Sequence, residues 1–296
     1  MIGAAVLWGT VGVVVLHLHD HAGLSAGAIA WLRSLVAAAV LVPAVAVGAR
    51  RRRAPIATAL VPSRAAGRLM LAVGAGTAAF QTAYFAAVAM VGVSVSTLIS
   101  LGLTPLLVAV AESVLLGARH GRRVHVAVAA SIAGLVLLVA PGSDGGHHDH
   151  WLLGCLLAAL SAAGYATVTL MLRARDEATG GATLTAGTFA VGAVLLAPLA
   201  LGTGHPGGWS AETIGLLVYL GLVPSALAYA LFFAALRTLP ATASAVASLL
   251  EPLTAAVLAW LLVGERLGAA GLIGSALVLL AVAAVASERR VTPATG

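Results

Sequence analysis

The chain has 296 residues, of which 61% are hydrophobic and 9% charged, and its mean hydropathy is +1.06. A typical soluble domain carries roughly 25% charged residues, so this composition excludes a water-soluble protein. All 16 basic residues are arginines and the formal net charge is +6. Their position beside apolar segments favours a membrane, not nucleic acid, as the partner.

Ten apolar segments follow one another along the chain, each long enough to cross about 30 Å of hydrocarbon as a helix. We predict membrane spans at 2–18, 27–48, 69–91, 93–117, 124–140, 151–172, 183–201, 211–236, 241–263 and 268–286. The third and fourth spans are joined only by a tight turn near Gly92, so nine spans is the competing number. The first span lacks a basic leader and a cleavage site, and we expect it to be retained.

The arginines test the number of spans, because they should accumulate in alternate loops on the cytoplasmic side. With a cytoplasmic N-terminus, ten spans leave Arg266 outside and Arg33 within a span. The others are then all cytoplasmic: Arg50, Arg51, Arg52, Arg53, Arg64, Arg68, Arg119, Arg122, Arg123, Arg173, Arg175, Arg237, Arg289 and Arg290. Nine spans would break this alternation, so the sequence predicts ten, with both termini cytoplasmic.

An internal repeat predicts how the spans are arranged. The segment 85–119 matches the segment 232–266, at an offset of 147 residues. Both segments contain a proline, a glycine twelve residues after it, and an arginine two residues after the glycine. Each half would contain five of the ten predicted helices. Because an odd number of spans ends on the opposite side of the membrane, the second half must be inverted relative to the first. We therefore expect an all-α integral membrane protein of ten transmembrane helices. Its two inverted five-helix repeats, 1–140 and 151–286, would surround a central cavity, with a cytoplasmic tail at 287–296.

Several motifs resemble those of the EamA-type members of the drug/metabolite transporter superfamily. They are Leu-Trp-Gly-Thr at 7–10, Trp-Leu-Arg at 31–33, Thr-Pro at 104–105, Leu-Glu-Pro-Leu at 250–253 and Val-Gly-Glu-Arg-Leu at 263–267. The resemblance covers nearly the whole chain, and it implies ten helices, a central cavity and alternating-access export of small metabolites, often amino acids. The first half departs from the pattern, since Ala118 stands where the second half has Glu265.

Two acidic residues lie at least five residues inside a predicted span. Glu251 lies near the bilayer midplane on the same helix face as Ser248, and an ionised carboxylate there costs at least a few kcal/mol unless it is solvated or paired. It is a candidate proton, amine or cation site, or alternatively a structural anchor between helices. Glu112 lies near the cytoplasmic end of the fourth span and is a second proton-coupling candidate.

A set of polar and aromatic residues in the spans is predicted to form the substrate cavity. Arg33 could bind a substrate carboxylate, extend to the outer surface, or pair with Glu265. The other candidates lie in the middle of apolar segments: Trp8, Gln81, Tyr84, Thr104, Tyr165, Tyr229 and Phe232. Aromatic residues that anchor a protein at the membrane surface are expected at the ends of spans, not at such positions. For any one of them, packing between helices is an equal alternative.

Histidines cluster in predicted external loops: His17, His19 and His21, and His147, His148 and His150. Imidazoles suit transition metals, but no ligand spacing supports a site, so we predict no bound metal and no cofactor. The leading function is secondary transport of an amino acid or related compound out of the cell, across the cytoplasmic membrane, with proton coupling as an option. The alternatives are a multidrug or cation exporter, a divalent-metal carrier and a lipid flippase. No hydrolase or P-loop motif indicates an enzyme, and we expect a monomer or weak homodimer.

Overall fold

The computed structural model describes residues 2–116, 150–173, 180–202, 209–229, 250–264 and 268–287, together with 122, 126, 129–130, 133–134, 136–137 and 231. Within these residues every regular element is a helix. In chain order they are α1 (Ile2–Gly9), α2 (Val11–Ala22), α3 (Ala26–Arg51), α4 (Ile56–Leu60), α5 (Arg64–Leu116), α6 (Trp151–Arg173), α7 (Gly181–Gly202), α8 (Ala211–Gly221), α9 (Leu250–Leu258) and α10 (Ala269–Ser287).

Five helical stretches of the described chain are long and apolar enough to cross a membrane. They are Ile2–Ala22, Ala26–Arg51, Arg64–Val108, Trp151–Met171 and Gly181–Leu201. Shorter apolar helices cover Ala211–Leu227 and Ala269–Ala281. The chain is thus a multi-pass, all-helical membrane protein. The predicted number of ten spans stays a prediction, because the fifth span and the first part of the ninth lie largely outside the described residues.

The long helix α5 folds back on itself at Gly92. The hydroxyls of Tyr84 and Thr97, thirteen residues apart, are hydrogen-bonded at 2.7 Å, whereas a straight helix would separate such residues by about 20 Å. Gly92 has φ 80° and ψ 174°, a backbone conformation open essentially to glycine alone. The expected turn near Gly92 is therefore present, and α5 consists of two arms.

Two of the later helices contain π-helical turns. α8 continues into the π-helical segment Leu222–Leu227, and α9 continues into Ala259–Val263. Pro224 lies within the first segment and has no N–H to donate, which interrupts regular α-helical bonding there. Such turns widen a helix locally and change which carbonyls face its neighbours.

Packing is closest between α5 and α6 and between α3 and α7. The main buried apolar cluster joins residues of α2, α3, α5, α7, α8 and α9, including Val15, Ile29, Phe85 and Leu220. Many leucines and valines on the outside are exposed, as a lipid-facing surface requires: Leu152, Leu160, Val194, Leu201, Leu272 and Leu280. Buried hydroxyls such as Ser34 and Thr185 donate to the carbonyl one turn earlier, so they need no partner from lipid.

The observed helices differ from the predicted spans in two respects. α4 lies in the predicted arginine-rich loop, where five helical residues are too short to produce a recognisable periodicity. The first span is broken at Thr10, whose hydroxyl donates to the Leu7 carbonyl at 2.7 Å and is hydrogen-bonded to the Tyr219 hydroxyl at 2.8 Å. Apolar composition alone does not reveal such a break.

Candidate functional site

A cavity lies where α1, α3, α5, α6, α9 and the residues that follow α8 meet. It is lined by Trp8, Gly9, Val11, Arg33, Phe80, Gln81, Tyr84, Phe85, Thr97, Ser100, Leu101, Ser161, Tyr165, Tyr229, Glu251 and Ala255. The space open to the centre of a water-sized sphere is ≈ 80 Å³. Since about 10–15 Å³ of such space admits one water molecule, the cavity has room for several waters or a small solute.

Arg33 carries the positive charge of the cavity. Its side chain is 5% exposed, its Nε donates to the Ser225 hydroxyl at 2.7 Å, and its guanidinium carbon lies 5.8 Å from the centre of the Phe85 ring. Ser225 in turn donates to the Leu220 carbonyl at 2.7 Å. Within the described chain, the two terminal guanidinium nitrogens have no hydrogen-bond or ion-pair partner. Arg33 is thus held from one side and leaves its bidentate edge free.

Glu251 supplies a carboxyl group from the first turn of α9. Among the residues that the structure describes, its carboxylate makes no hydrogen bond and no ion pair. It lines the same cavity as Arg33, yet no nitrogen of Arg33 lies within 4.0 Å of its oxygens. Two opposite charges away from bulk water are costly unless each has a partner. A guanidinium and a carboxyl group thus face one cavity without a direct ion pair.

Aromatic rings form much of the remaining wall. The Tyr229 ring meets Trp8 edge to face at 5.3 Å and Phe189 at 5.6 Å, and the Tyr165 ring lies 5.2 Å from Phe80. Trp8 also donates its indole N–H to the Pro224 carbonyl at 2.9 Å. These contacts fix the rings, so that the wall is largely preformed.

Gln81 differs from the other polar residues of the wall. It is 3% exposed, and its Oε1 has no hydrogen-bond partner within the described chain. Ser100, by contrast, donates to the Ala158 carbonyl at 3.1 Å, and Thr97 is bonded to Tyr84. A buried acceptor without a partner is uncommon in folded proteins, so Gln81 differs from a side chain that only joins helices.

Glycine at position 9 permits the close approach of α1 to α9. A Cβ there would lie 2.6 Å from Thr254 Cβ and 2.8 Å from the Glu251 carbonyl oxygen. Both distances are too short for carbon contacts, so a side chain at this position would push α9 away from α1. Gly9 thereby sets the position of Glu251 relative to Trp8.

Seven of the predicted substrate residues line this one cavity: Trp8, Arg33, Gln81, Tyr84, Tyr165, Tyr229 and Glu251. Thr104 is not among the lining residues, since its hydroxyl donates to the Ser100 carbonyl at 2.7 Å and lies 3.4 Å from the Ala162 carbonyl. Phe232 and Ser248 lie outside the described residues. Glu112 lies in α5, and its side chain is outside the described part.

The histidines that were considered as metal ligands make hydrogen bonds and ring contacts where the structure describes them. His17 Nε2 lies 3.1 Å from Glu212 Oε1, and the His17 and His21 rings are stacked at 4.3 Å. His19 Nδ1 donates to the Leu24 carbonyl, and His150 is exposed, whereas His147 and His148 lie outside the described residues. No group of three metal-ligating side chains occurs in the portion of the chain that the structure describes.

Sequence reasoning missed two residues that shape the site. Ser225 holds Arg33, and Ser161, buried on α6, lines the cavity. Both are serines inside apolar runs, a pattern that is common wherever membrane helices pack. A proline directly before Ser225 was the available signal, because it indicates an irregular turn.

Comparisons with known proteins agree with this architecture. The model of the EamA-like transporter family matches residues 1–140 and 152–287. The chain is 30% identical over 213 residues to the uncharacterized transporter YwfM of Bacillus subtilis (strain 168), covering 72% of this chain and 71% of that protein. It is 32% identical over 142 residues to an uncharacterized transporter of Archaeoglobus fulgidus, covering 46% of this chain and 48% of that protein.

One crystal structure superposes with a TM-score of 0.66 at 19% identity, covering 96% of this chain and 94% of the other. This similarity concerns the fold alone. The family match extends over both halves and almost the full length, and transport is the general role that the family and these relatives share. The chain belongs to the EamA-like transporter family.

Proposed function

We propose that the protein is a secondary transporter of a small zwitterionic metabolite, an amino acid or a related compound, which it exports across the cytoplasmic membrane. Arg33 would bind the carboxylate and Glu251 the ammonium group. The observation that carries the proposal is that these two opposite charges face one cavity without pairing. A zwitterion would satisfy both at once, which neither an anion nor a cation can do.

We propose further that the molecule works by alternating access between two inverted five-helix halves, 1–140 and 151–286, with both termini cytoplasmic. Two observations support this arrangement. The family model matches residues 1–140 and 152–287, and the cavity takes Arg33 and Gln81 from the first half and Tyr165 and Glu251 from the second. Relative movement of the halves would open the cavity first to one side of the membrane and then to the other.

The test compares three ligands in proteoliposomes: L-alanine, its methyl ester, which lacks the carboxylate, and N-acetyl-L-alanine, which lacks the ammonium group. Either derivative should inhibit the wild-type counterflow of L-alanine at least roughly tenfold more weakly than added L-alanine does. Arg33→Gln should remove the preference for L-alanine over its methyl ester and keep the preference over N-acetyl-L-alanine. Glu251→Gln should remove the preference for L-alanine over N-acetyl-L-alanine and keep the preference over the ester.

Glu212→Gln is the matched control, because Glu212 is an exposed carboxylate outside the cavity, and it should retain both preferences. If wild-type protein carried no amino acid, or if the ester inhibited as strongly as alanine, the zwitterion proposal would be wrong.

We also propose that export is coupled to proton entry through Glu251. One carboxylate cannot hold an ammonium group and a proton together, so protonation of Glu251 would release the amine and favour exchange. Wild-type efflux should then rise when a pH gradient is imposed, and Glu251→Gln should remove this rise. Equal wild-type flux with and without the gradient would instead indicate a uniporter.

A second candidate, an exporter of organic cations, is supported by the aromatic wall beside Glu251, because aromatic faces attract cations. Arg33 argues against it, since a buried guanidinium repels such a ligand. Counterflow of tetraethylammonium distinguishes the two functions: strong wild-type transport that survives Arg33→Gln would favour the cation exporter.

A further inference from the structure

We propose that Gln81 and Ser161 form a second subsite of the cavity, which binds a neutral hydrogen-bonding group, a hydroxyl or a carboxamide, on the side chain of the transported zwitterion. This inference rests on the proposed function, because it assigns the charged ends of the substrate to Arg33 and Glu251. It adds a selectivity that those two residues cannot provide, since every α-amino acid carries both charges.

The Gln81 amide carries the argument. Its side chain is 3% exposed, lines the cavity, and has an oxygen without a hydrogen-bond partner in the described chain. Leaving a buried acceptor unpaired destabilises a protein measurably. A primary amide offers two donors and one acceptor, so it can bond to a hydroxyl in either direction or pair with another amide.

Among the described residues, the Gln81 side-chain oxygen accepts no hydrogen bond, whereas other polar side chains of α5 are bonded to backbone carbonyls. On the same arm of α5, the Thr82 hydroxyl donates to the Ala78 carbonyl at 2.9 Å. Farther along α5, the Thr104 hydroxyl is bonded to carbonyls of its own helix and of α6. The hydroxyls of these residues are satisfied by backbone, whereas the Gln81 oxygen has no such partner in the described part of the chain.

Ser161 places a hydroxyl on the helix that faces Gln81. The Phe80 and Tyr165 rings lie 5.2 Å apart, and a Cβ on Gly164 would be only 2.8 Å from Phe80 Cβ, so α5 and α6 pack closely at this level. Ser161 lies one helical turn before Tyr165, is buried, and lines the same cavity. Arg33 and Glu251 belong to other helices, α3 and α9, so the neutral subsite is formed by a different pair of helices, α5 and α6.

The experiment compares L-threonine with L-valine, which have nearly the same shape but differ by a hydroxyl in place of a methyl group. Counterflow by the full chain in proteoliposomes should favour threonine roughly tenfold in kcat/KM, because valine leaves the amide unpaired. Gln81→Leu should bring the threonine to valine ratio to about one or below. Valine transport should persist in this variant, which shows that the protein is folded and that the charged ends are still bound.

Thr82→Val is the matched control, since it removes a hydroxyl from the neighbouring position outside the cavity and should leave the ratio unchanged. Ser161→Ala provides a second variant if Gln81→Leu does not assemble, and it should lower the ratio in the same direction. A wild-type ratio near one, or a ratio that Gln81→Leu and Ser161→Ala leave intact, would overturn the subsite. If wild-type protein carried neither amino acid, the proposed function itself would fall.

Discussion

At the scale of single residues, the hydrogen bond between Arg33 and Ser225 connects the two halves of the chain at the cavity. It joins α3 to the π-helical segment after α8. The Ser225 hydroxyl has one proton, which it donates to the Leu220 carbonyl, so its lone pair remains available for the guanidinium. Ser225 is therefore a positioning residue for Arg33.

We expect Ser225→Ala to reduce the affinity for L-alanine roughly tenfold, because a hydrogen bond to a charged group contributes about 1.5–3 kcal/mol. The preference for L-alanine over its methyl ester should fall in parallel, while the preference over N-acetyl-L-alanine should hold. Competition in counterflow measures both ratios. Ser34→Ala, which removes a neighbouring hydroxyl bonded only to its own helix, is the control. A variant with less folded protein but unchanged ratios would show that Ser225 is merely structural.

Single residues also mark the limit of prediction from sequence. A charge inside an apolar span has few explanations, and for that reason Arg33 and Glu251 could be selected as functional candidates. The direction of Arg33 could not be predicted, because binding of substrate and extension to the surface are equally compatible with its position. The structure has it buried beside Phe85. Ser225 and Ser161 were missed because serine in a membrane helix has many ordinary uses.

At the scale of helices, the contact between α1 and α9 depends on Gly9. We expect Gly9→Ala to destabilise the protein by about 1–3 kcal/mol, the usual effect of adding a methyl group to a full interface. Its thermal midpoint in detergent, followed by size-exclusion chromatography, should fall below that of wild-type protein. Gly3→Ala is a matched control on the same helix, because among the described residues its added Cβ would meet only Leu231 Cδ1, at the ordinary contact distance of 3.6 Å. Equal midpoints for the two variants would contradict this role for Gly9.

Helices were predictable where hydropathy determines them. The predicted span 151–172 corresponds to Trp151–Arg173, and 183–201 to Gly181–Gly202. The turn at Gly92 was also expected, because two spans met there with almost no loop. The break at Thr10 could not be predicted, since it depends on a contact with another helix and leaves the apolar composition unchanged. At Pro224 the proline indicated an irregular turn, but not its π-helical form.

At the scale of the whole molecule, the two matched family segments meet at one cavity that holds one positive and one negative side chain. Hydropathy predicted a multi-pass helical membrane protein, which is confirmed. The orientation from the arginine pattern and the two inverted halves from the repeat stay predictions. Seven of the ten predicted substrate residues line the cavity, but its full lining could not be predicted, because it depends on how far each helix rotates when it packs. Interface residues such as Gly9 and Ser225 take part in that packing, and they carry no charge that would mark them in a sequence.

The most direct measurement uses solid-state NMR on the liposome-embedded protein with bound L-alanine that is ¹³C-labelled at the carboxylate and ¹⁵N-labelled at the amine. We expect strong dipolar coupling between the ligand carboxylate and arginine side-chain nitrogens, consistent with N···O distances of about 2.7–2.9 Å, and its disappearance in Arg33→Gln. The amine should couple likewise to a glutamate side-chain carboxyl, and Glu251→Gln should remove this coupling. Bound alanine with neither coupling in wild-type protein would contradict the account.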